Sequence, residues 1–278
     1  MGAMKKTVLL TGCSSGIGAA TARLFASRDW NVIATMRTPA KEPEWARQEQ
    51  VIVSRLDVTD PASIEGAIGE GLARFGKIDA LINNAGFGLT GVFESFSREK
   101  IQEQFDVNLF GVMDVTRALL PHFRESEAGT IINVSSRAGL VSFPMLSLYC
   151  ASKAALEAFS ESLAYELAAQ NIVVKIVEPG GGVTGTRFPQ TTGAQAAEPP
   201  VDYDEFVART KKIFATMAAK VATSSEDVAG AIYQAATDGT NRLRYFIGED
   251  TGGLIRAKRE KPDQEYIDFM RAHFSRSS

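Results

Sequence analysis

The chain has 278 residues, a net charge of −3 at pH 7 and a hydrophobic fraction of 45%, which excludes a disordered, a collagen-like and a disulfide-dense protein. It has no long basic stripe and no apolar stretch approaching the roughly 20 residues that cross a bilayer, so we expect neither nucleic acid nor a membrane among its partners. Its two cysteines and two histidines provide no disulfide framework and no zinc-ligand spacing, and we predict a cytoplasmic protein without a metal site.

Short apolar runs rich in Val and Ile alternate with longer segments of helical periodicity through most of the chain. The predicted strands are Thr7–Thr11, Asn31–Thr35, Val51–Ser54, Ala80–Asn83, Thr130–Val134, Val173–Val177 and Arg244–Ile247. The predicted helices are Ile17–Ser27, Pro61–Phe75, Arg98–Phe123, Ser147–Ala169, Ser225–Ala236 and Asp263–Phe274. Strands that alternate with helices form right-handed βαβ units, so we predict an α/β fold with a doubly wound, mostly parallel sheet of about seven strands and helices on both faces.

Beyond Pro179 the regular alternation stops. The chain continues through Gly180–Gly182 and Pro199-Pro200 and then through the amphipathic stretch Asp202–Lys220. A connection of this length between sheet elements is usually functional. No linker composition divides the chain, so we predict a single domain over residues 1–278, with a lid insertion at about 185–225 and a C-terminal extension from about residue 252.

A glycine-rich loop joins the first predicted strand to the first predicted helix, with the sequence Thr11-Gly12-Cys13-Ser14-Ser15-Gly16-Ile17-Gly18. Glycine allows a tight turn and a close approach to a pyrophosphate, and the free N–H groups of a helix N-terminus favour an anion. A structural turn would also explain a cluster of glycines. The strand–loop–helix context favours a nucleotide site, formed by Gly12, Ser14, Ser15, Gly16, Ile17 and Gly18.

The spacing Gly-x-x-x-Gly-x-Gly differs from the common Gly-x-Gly-x-x-Gly fingerprint. Four further features follow in order, namely Asn83-Asn84-Ala85-Gly86, Asn108, Ser136 with Tyr149-Cys150-Ala151-Ser152-Lys153, and Pro179-Gly180. Together they resemble the short-chain dehydrogenase/reductase family in its single-domain branch, over roughly residues 5–190. The resemblance implies a Rossmann-like sheet, a nicotinamide dinucleotide cofactor and an oxidoreductase that acts on CH–OH donors.

The end of the second predicted strand bears on the choice of cofactor. An acidic residue there binds the ribose 2′-hydroxyl of NAD, whereas a nearby arginine accommodates the 2′-phosphate of NADP. The strand ends Ala34-Thr35-Met36-Arg37, without an acid, so we predict NADP(H), bound by Arg37. NAD(H) stays open as the alternative, because most arginines are simply solvated. The resemblance implies further nucleotide contacts from Asp57, Val58, Asn83, Ala85 and Gly86, and it implies that Asn83 and Gly86 also stabilise the central sheet.

Tyr149 and Lys153 are four residues apart in a predicted helix and therefore project from one face. The hydroxyl of a tyrosine normally has a pKa of about 10, and a neighbouring ammonium group together with a positive nicotinamide ring would lower it. We expect Tyr149 to exchange a proton with the substrate oxygen and Ser136 to hydrogen-bond that oxygen. The resemblance implies that Lys153 also binds the nicotinamide ribose and that Asn108 holds a water that relays protons to Lys153.

The segment after the sixth predicted strand reads Pro179-Gly180-Gly181-Gly182-Val183-Thr184-Gly185-Thr186. In the family that it resembles, a hydroxyl residue in this segment meets the nicotinamide carboxamide and the pyrophosphate. Counting from Pro179 selects Thr184, and aligning on Val183 selects Thr186. We predict cofactor contacts from Pro179, Gly180, Val183 and Thr184, with Thr186 as the alternative.

Substrates of open α/β sheets bind beyond the carboxyl ends of the strands. Apolar residues predicted there are Phe87, Phe143, Met145 and Phe188. They predict a small hydrophobic substrate, a ketone or aldehyde that is interconverted with an alcohol. Asn84-Ala85-Gly86-Phe87-Gly88 and Ala34-Thr35-Met36-Arg37 resemble the hydroxysteroid and retinol dehydrogenase-like members of the family.

Two other functions compete with this prediction. A nucleotide-sensing regulator could use the same scaffold without turnover, but it would not need Ser136, Tyr149 and Lys153 together. An epimerase or dehydratase resembles the extended branch of the family, which has a different glycine spacing. Because family members pair two of their long helices across a two-fold axis, we also expect a homodimer or homotetramer.

Overall fold

The computed structural model of the chain describes residues 5–39, 44–186, 198–219, 223–250 and 252–275. This part of the chain forms a seven-stranded sheet whose neighbouring strands all run parallel. The strands are β1 (Thr7–Leu10), β2 (Asn31–Met36), β3 (Val51–Arg55), β4 (Ala80–Asn83), β5 (Gly129–Val134), β6 (Ile172–Pro179) and β7 (Arg244–Ile247). The strands are arranged in the order β3-β2-β1-β4-β5-β6-β7, so the chain winds outward to one edge from β1 and to the other edge from β4. The predicted doubly wound, Rossmann-like α/β fold is confirmed.

The helices cover both faces of this sheet. They are α1 (Gly16–Ser27), α2 (Pro61–Phe75), α3 (Arg98–Phe105), α4 (Gly111–Glu125), α5 (Ser147–Leu167), α6 (Asp204–Ala218), α7 (Ser225–Thr237), α8 (Leu254–Glu260) and α9 (Asp263–Ser275). Val8 of β1 belongs to a buried apolar cluster with Phe25 of α1 and Ile232 of α7. Its neighbour Leu9 belongs to a second cluster with Leu119 of α4. Both faces are therefore buried, which is why the strands are continuously apolar.

Local sequence sets the ends of α2. The side chain of Asp60 accepts a hydrogen bond from the backbone N–H of Ser63, and Pro61 occupies the first helical position. Gly76 ends the helix in the left-handed conformation, with φ of 78°. The predicted start of this helix at Asp60-Pro61 therefore agrees with the structure.

The segment predicted as one helix over Arg98–Phe123 is divided in the structure. Between α3 and α4 the residues Asp106–Phe110 form a π-helical turn, and α4 continues past the predicted end to Glu125. A π-helical turn adds a residue to the helical repeat and is often found at functional sites. In this turn Asn108 is completely buried and its amide bonds the loop after β4. Apolar periodicity alone does not detect this change of pitch.

The C-terminal helices pack onto α6 and onto the loop that follows β5. Tyr266 and Phe274 of α9 lie in one apolar cluster with Leu254 of α8, with Val141 and with Phe214 of α6. This cluster is separate from the two layers that flank the sheet. Of the predicted lid at about 185–225, residues 187–197 and 220–222 lie outside the described residues.

Neither cysteine forms a disulfide, and both Cys13 and Cys150 are buried. In the described part of the chain we find no group of three His, Cys, Asp or Glu side chains with the geometry of a metal site. Among the same residues, no helix combines the length and apolar character needed to traverse a bilayer.

Candidate active site

Tyr149 and Lys153 lie one turn apart near the start of α5, and both side chains are buried. The ammonium nitrogen of Lys153 lies 5.9 Å from the centre of the Tyr149 ring. The same nitrogen donates a hydrogen bond of 2.9 Å to the carbonyl oxygen of Val134, the last residue of β5. The lysine is therefore anchored to the sheet beside the tyrosine.

Ser136 follows β5 and is the N-cap of a short 3₁₀ turn, Arg137–Gly139. Its hydroxyl oxygen accepts a hydrogen bond of 3.1 Å from the backbone N–H of Ala138 and is also hydrogen-bonded to the Tyr149 hydroxyl. The adjacent Ser135 has a buried hydroxyl that makes no hydrogen bond in the described structure. The structure thus brings Ser136, Tyr149 and Lys153 together, as the spacing predicts.

The two ionisable groups have shifted pKa values because both are buried. Burial raises the pKa of Tyr149 to about 12, although the hydrogen bond from Ser136 acts in the opposite direction. Burial lowers the pKa of Lys153 to about 8, and the nearby carboxylate of Glu157 opposes this shift. The lowered tyrosine pKa expected from the sequence is therefore not found in the chain alone, because desolvation outweighs the hydrogen bond with Ser136. At neutral pH Tyr149 carries its proton.

Asn108 braces the loop that follows β4. Its side-chain oxygen accepts a hydrogen bond of 3.0 Å from the N–H of Phe87, and its nitrogen donates to the carbonyl of Phe87 at 2.8 Å and to the hydroxyl of Ser152 at 3.1 Å. A Cβ atom on Gly86 would lie 3.2 Å from the Asn108 oxygen and 3.8 Å from the Lys153 nitrogen. Asn108 is thus close to the catalytic candidates, and its direct partners are this loop and α5.

Gln104 is a site residue that sequence reasoning missed. It is completely buried one turn before Asn108, and it donates to the carbonyl of Phe87 at 2.5 Å and accepts from the N–H of Leu89 at 2.9 Å. The spacing of four residues between Gln104 and Asn108 is the available signal, because it puts two amides on one helical face.

The glycine-rich loop after β1 is shaped as a phosphate cradle. Gly12 and Gly16 have φ of 75° and 57°, which favour glycine. A Cβ atom on Gly18 would lie 2.2 Å from the carbonyl oxygen of Gly12, so no larger residue fits. Ser15 is the N-cap of α1 without a side-chain capping bond, and no acidic residue lies in the first helical turn. The N–H groups of this turn, near Ser14 and Ile17, are available to an anion, and the loop fits a pyrophosphate.

Thr11 and Asn84 hold this loop against the end of β4. The hydroxyl oxygen of Thr11 accepts hydrogen bonds of 3.0 Å from the N–H groups of Asn84 and Ala85. The side chain of Asn84 donates to the carbonyl oxygens of Thr11 and Gly12 at 3.0 and 3.2 Å. Asn84 is a second residue that sequence reasoning did not assign. These hydrogen bonds join the ends of β1 and β4, the two central strands from which the sheet is wound in opposite directions.

The predicted nucleotide residue Asn83 has its side chain on the other side of the sheet. It donates to the side chain of Asn133 at 2.9 Å and to the hydroxyl of Thr116 at 3.2 Å, and it is buried. Adjacent residues at a strand end point to opposite faces, so Asn84 points to the loop and Asn83 into the interior. The Asn83 side chain therefore joins β4, β5 and α4, as expected of a residue that stabilises the central sheet.

A cavity of about 500 Å³ lies beyond the carboxyl ends of β2 and β3. It is lined by Arg37, Asp57, Thr59, Arg98, Glu99, Gln102, Glu103, Asp106 and Val107. The carboxylate of Asp57 accepts hydrogen bonds from the N–H and hydroxyl of Thr59, so its charge stabilises the local turn. Val58 is buried against the start of α4. The cavity is large enough for part of a nucleotide and contains the predicted Arg37.

The segment after β6 brings Thr186 to the phosphate loop. A Cβ atom on Gly16 would lie 3.4 Å from Thr186, which makes these two residues neighbours. Thr184 instead pairs with the segment before α7, and its hydroxyl donates to the carbonyl of Thr223 at 3.4 Å. Val183 packs against the apolar layer that contains α1. The β6 strand itself extends through Pro179, and Gly180 donates its N–H to Ile247.

The predicted substrate residues have different surroundings. The ring of Phe143 packs edge-on against Phe214 of α6 and Phe274 of α9, with centroid distances of 6.5 and 6.4 Å. Phe87 packs near Leu89, and Met145 is buried in a left-handed conformation with φ of 59°. Phe188 lies outside the described residues. The structure therefore connects the loop after β5 with α6 and the C-terminal helix through aromatic rings.

The parallel sheet, the phosphate cradle and the serine–tyrosine–lysine group define a dinucleotide-binding oxidoreductase. Residues 6–195 match the family model of the short-chain dehydrogenases, and the chain belongs to this family. The uncharacterized oxidoreductase YusZ of Bacillus subtilis is 38% identical over 255 residues, which cover 88% of this chain and 90% of that protein. The 3-ketodihydrosphingosine reductase of Bacteroides thetaiotaomicron is 38% identical over 178 residues, or 64% of each protein.

Solved structures have the same fold. A short-chain dehydrogenase from Streptomyces avermitilis is 33% identical with a TM-score of 0.76, covering 97% of this chain and 92% of its own. ElxO with NADP bound is 28% identical with a TM-score of 0.72, covering 87% and 98%. The 3-ketoacyl-(acyl-carrier-protein) reductase from Brucella melitensis, complexed with NADH, is 25% identical with a TM-score of 0.72, covering 88% and 98%. Similar proteins thus bind either nicotinamide cofactor.

Proposed function

We propose that the protein is an NADP(H)-dependent oxidoreductase that interconverts a ketone or aldehyde and an alcohol on a hydrophobic small molecule. The observation that carries this proposal is the hydrogen bond between the half-buried Ser136 hydroxyl and the buried Tyr149 hydroxyl, with the Lys153 ammonium group one helical turn away. An acid, a hydrogen-bond donor and a cation are the groups that a carbonyl oxygen needs as negative charge develops on it.

In the reduction, Tyr149 donates its hydroxyl proton to the substrate oxygen and Ser136 donates a hydrogen bond to the same atom. A bound nicotinamide cofactor would supply the hydride. Lys153, held on the carbonyl of Val134, provides the positive charge that stabilises the resulting phenolate. Asn108 and Gln104 keep the loop at Gly86–Leu89 in position beside the lysine. Alcohol oxidation runs through the same groups in reverse.

Two guanidinium groups support NADP(H) in the cavity beyond β2, which four carboxyl side chains also line, namely Asp57, Glu99, Glu103 and Asp106. Arg37 and Arg98 both line this cavity, and guanidinium groups bind phosphate through paired hydrogen bonds. Thr35 stands where an acid would bind the 2′-hydroxyl of NAD, and its hydroxyl donates to the carbonyl of Leu10 at 2.8 Å. The NADP complex of ElxO agrees with this choice. NAD(H) is the second candidate because the Brucella melitensis reductase binds NADH.

Apolar surroundings support a hydrophobic substrate. Phe143, Phe214 and Phe274 form mutual edge-to-face contacts, and they connect the loop after Ser136 with α6 and α9. We infer that α6 and its flanking residues form the lid and that α9 supports it within a single domain. The relative that reduces 3-ketodihydrosphingosine, by its name, acts on a lipid ketone. A ketone with a long apolar chain is therefore the first substrate to assay.

Turnover is tested by following NADPH absorbance against a panel of apolar ketones and aldehydes. Consumption that depends on the ketone supports the proposal, whereas nucleotide binding without consumption would identify a sensor. Tyr149→Phe should lower kcat by at least about 10²-fold, because it removes the general acid, and should keep NADPH affinity. Wild-type activity in that variant would refute the assigned mechanism.

We further propose that the chain forms a homodimer or homotetramer. Phe110, before α4, and Tyr165, on α5, are large side chains that are 47% and 71% exposed. Exposed rings on two long helices are suited to contact with a second copy across a two-fold axis. Size-exclusion chromatography with light scattering measures the oligomeric state, and a monomeric mass at micromolar concentration would contradict this proposal.

A further inference from the structure

Glu157 and Glu178 form a buried pair of carboxyl groups beside the catalytic candidates. Glu157 follows Lys153 by one turn of α5 and is 5% exposed, and Glu178 lies near the end of β6 and is 0% exposed. The two carboxyl groups are within hydrogen-bond reach of each other. An oxygen of each group lies 3.4 Å from the same Nε atom of Arg244, so the two carboxyl groups are neighbours, and a hydrogen bond between them forms when one of them carries a proton.

In the described part of the chain, one cation, Arg244, lies within ion-pair distance of the pair. The Nε atom of Arg244 lies 3.4 Å from one oxygen of each, while its terminal nitrogen is 2.7 Å from the carboxylate of Glu161. No described donor makes a well-oriented hydrogen bond to any of the four oxygens of the pair. One guanidinium group thus faces three carboxyl groups.

Every element packed around the pair contributes a charge that acts on it. The ionisable groups are Lys153 and Glu161 of α5, Arg244 of β7, Arg259 of α8 and Arg137 of the turn after Ser136. Arg259 and Arg137 act through space and make no ion pair with Glu157 or Glu178 in the described structure. Burial and the charge of Glu157 raise the pKa of Glu178 to about 8.

The pair is also connected to Lys153. A Cβ atom on Gly139 would lie 2.9 Å from Cγ of Glu157 and 3.0 Å from the carbonyl oxygen of Lys153, so the turn after Ser136 rests on both residues. The charge of Glu157 favours the protonated form of Lys153. Gly139 thereby couples the Ser136 turn, Lys153 and the carboxyl pair in one packed unit.

We propose that Glu157 and Glu178 share one proton at neutral pH and that this pair is the counter-charge that keeps Lys153 protonated beside Tyr149. The inference rests on the proposed role of Lys153, and both glutamates act as positioning residues through the lysine. When pH rises, the O–H bond of the protonated carboxyl breaks, its electron pair stays on the carboxylate oxygen and its proton passes to solvent. The charge of the pair changes from −1 to −2, which opposes loss of the proton from Lys153.

The shared proton is tested on the chain without nucleotide, by infrared titration of the carbonyl stretch of protonated carboxyl groups. We expect this signal to persist at pH 7 in the wild type and in the control Glu161→Gln, and to disappear in Glu157→Gln and Glu178→Gln. Absence of the signal from the wild type at pH 7 would overturn the inference. Because this measurement on the wild type is decisive by itself, the test holds even if a glutamine variant fails to fold.

The connection to Lys153 is tested by NMR titration of its ¹³Cε atom, assigned with Lys153→Met. Glu157→Gln should lower the titration midpoint by about one pH unit, because an opposite charge is removed, and Glu161→Gln should leave it unchanged. The alkaline limb of kcat/KM for ketone reduction should move by the same amount. An unchanged midpoint in Glu157→Gln would refute the coupling. A shifted midpoint without turnover on any carbonyl compound would instead refute the proposed function.

Discussion

Thr186 lies directly over Gly16, within 3.4 Å of the position that a Cβ atom on this glycine would take. The two residues are 170 positions apart in the chain, and the segment after β6 brings them together at the N-terminus of α1. Thr184, two residues earlier, uses its hydroxyl for the carbonyl of Thr223. The Thr186 hydroxyl likewise donates to a backbone carbonyl, that of Val183, at 3.1 Å. Proximity to Gly16 therefore favours Thr186 as the residue that lies beside the phosphates.

Thr186→Val tests this relationship. If the hydroxyl hydrogen-bonds the nucleotide, its removal costs about 1 kcal/mol, so the dissociation constant of NADPH should rise roughly fivefold. Fluorescence titration of NADPH measures this constant. Thr184→Val is the matched control and should change the dissociation constant of NADPH less than twofold, which corresponds to about 0.4 kcal/mol or less. A larger effect for Thr184→Val than for Thr186→Val would reverse the assignment.

Gly18→Ala should damage the phosphate loop itself. The added methyl group would lie 2.2 Å from the carbonyl oxygen of Gly12 and 2.6 Å from the Asn84 side chain, so the loop must move. We expect a loss of about 1–3 kcal/mol in unfolding free energy and a fall in NADPH affinity of at least about tenfold. Urea unfolding and nucleotide titration measure the two effects.

Gly69→Ala in α2 is the control for that substitution. A Cβ atom on Gly69 meets no described heavy atom within 4 Å, so the alanine should be accommodated. Alanine is favoured over glycine in a helix interior, and we expect a gain of about 0.5–1 kcal/mol with unchanged nucleotide affinity. Equal effects of the two substitutions would mean that the loop geometry does not control binding.

Arg37→Ala tests the choice of cofactor. Loss of a charge-assisted pair with the 2′-phosphate costs about 1.5–3 kcal/mol, so the KM for NADPH should rise roughly 10- to 100-fold while that for NADH stays within about twofold. Steady-state kinetics with both nucleotides measures the ratio. Arg271→Ala, an exposed arginine of α9, is the control. A parallel change for both nucleotides would show that Arg37 does not read the 2′-phosphate.

Asp238→Asn should destabilise the fold at the β6–β7 edge. The buried Lys175 lies 2.5 Å from the Asp238 carboxylate, and the Tyr245 hydroxyl donates to the same group. Removing the charge leaves an unpaired buried ammonium group, which costs about 3–5 kcal/mol. Urea unfolding at pH 7 measures the loss, and the exposed Asp268→Asn should cost about 0.5 kcal/mol or less.

The contacts of Asp238 with Lys175 and Tyr245 also predict how the stability of the fold depends on pH. Desolvation raises the pKa of Asp238, but hydrogen bonds from Lys175, Tyr245 and Thr240 together outweigh it and hold this pKa below its ordinary range. A lowered folded-state pKa contributes stability that is present above the unfolded value of about 4 and is lost as the pH falls through the folded value. The stability difference between wild type and Asp238→Asn should therefore narrow in acid. A constant difference from pH 7 down to about pH 3 would contradict this origin.

Sequence periodicity was sufficient for the seven strands of the sheet, because each strand of a doubly wound sheet is buried on both faces and is apolar throughout. It did not predict the short helix α8. The start of α2 was equally local, since Asp60 and Pro61 act on the helix that they begin. The π-helical turn at Asp106–Phe110 was not predictable in this way. In this turn Asn108 forms hydrogen bonds with Phe87, which lies 21 residues earlier in the chain.

Contacts between distant segments decided the remaining details. Asn83 and Asn84 are identical in type and adjacent, and only the direction of each side chain at the end of β4 separates an interior amide from one that holds the phosphate loop. Glu157 and Glu178 carry no local signal of a shared site. Their proximity depends on how α5 packs against β6, and no spacing along the chain encodes it.

The sequence by itself determined the family, the sheet and the serine, tyrosine and lysine of the candidate site, because these features rest on short motifs and on local periodicity. The tertiary structure decided which threonine approaches the phosphate loop, which asparagine supports it and which charges surround Lys153. The physical reason is that burial and the distance between charges set hydrogen bonding and pKa values, and both arise only when remote segments pack together.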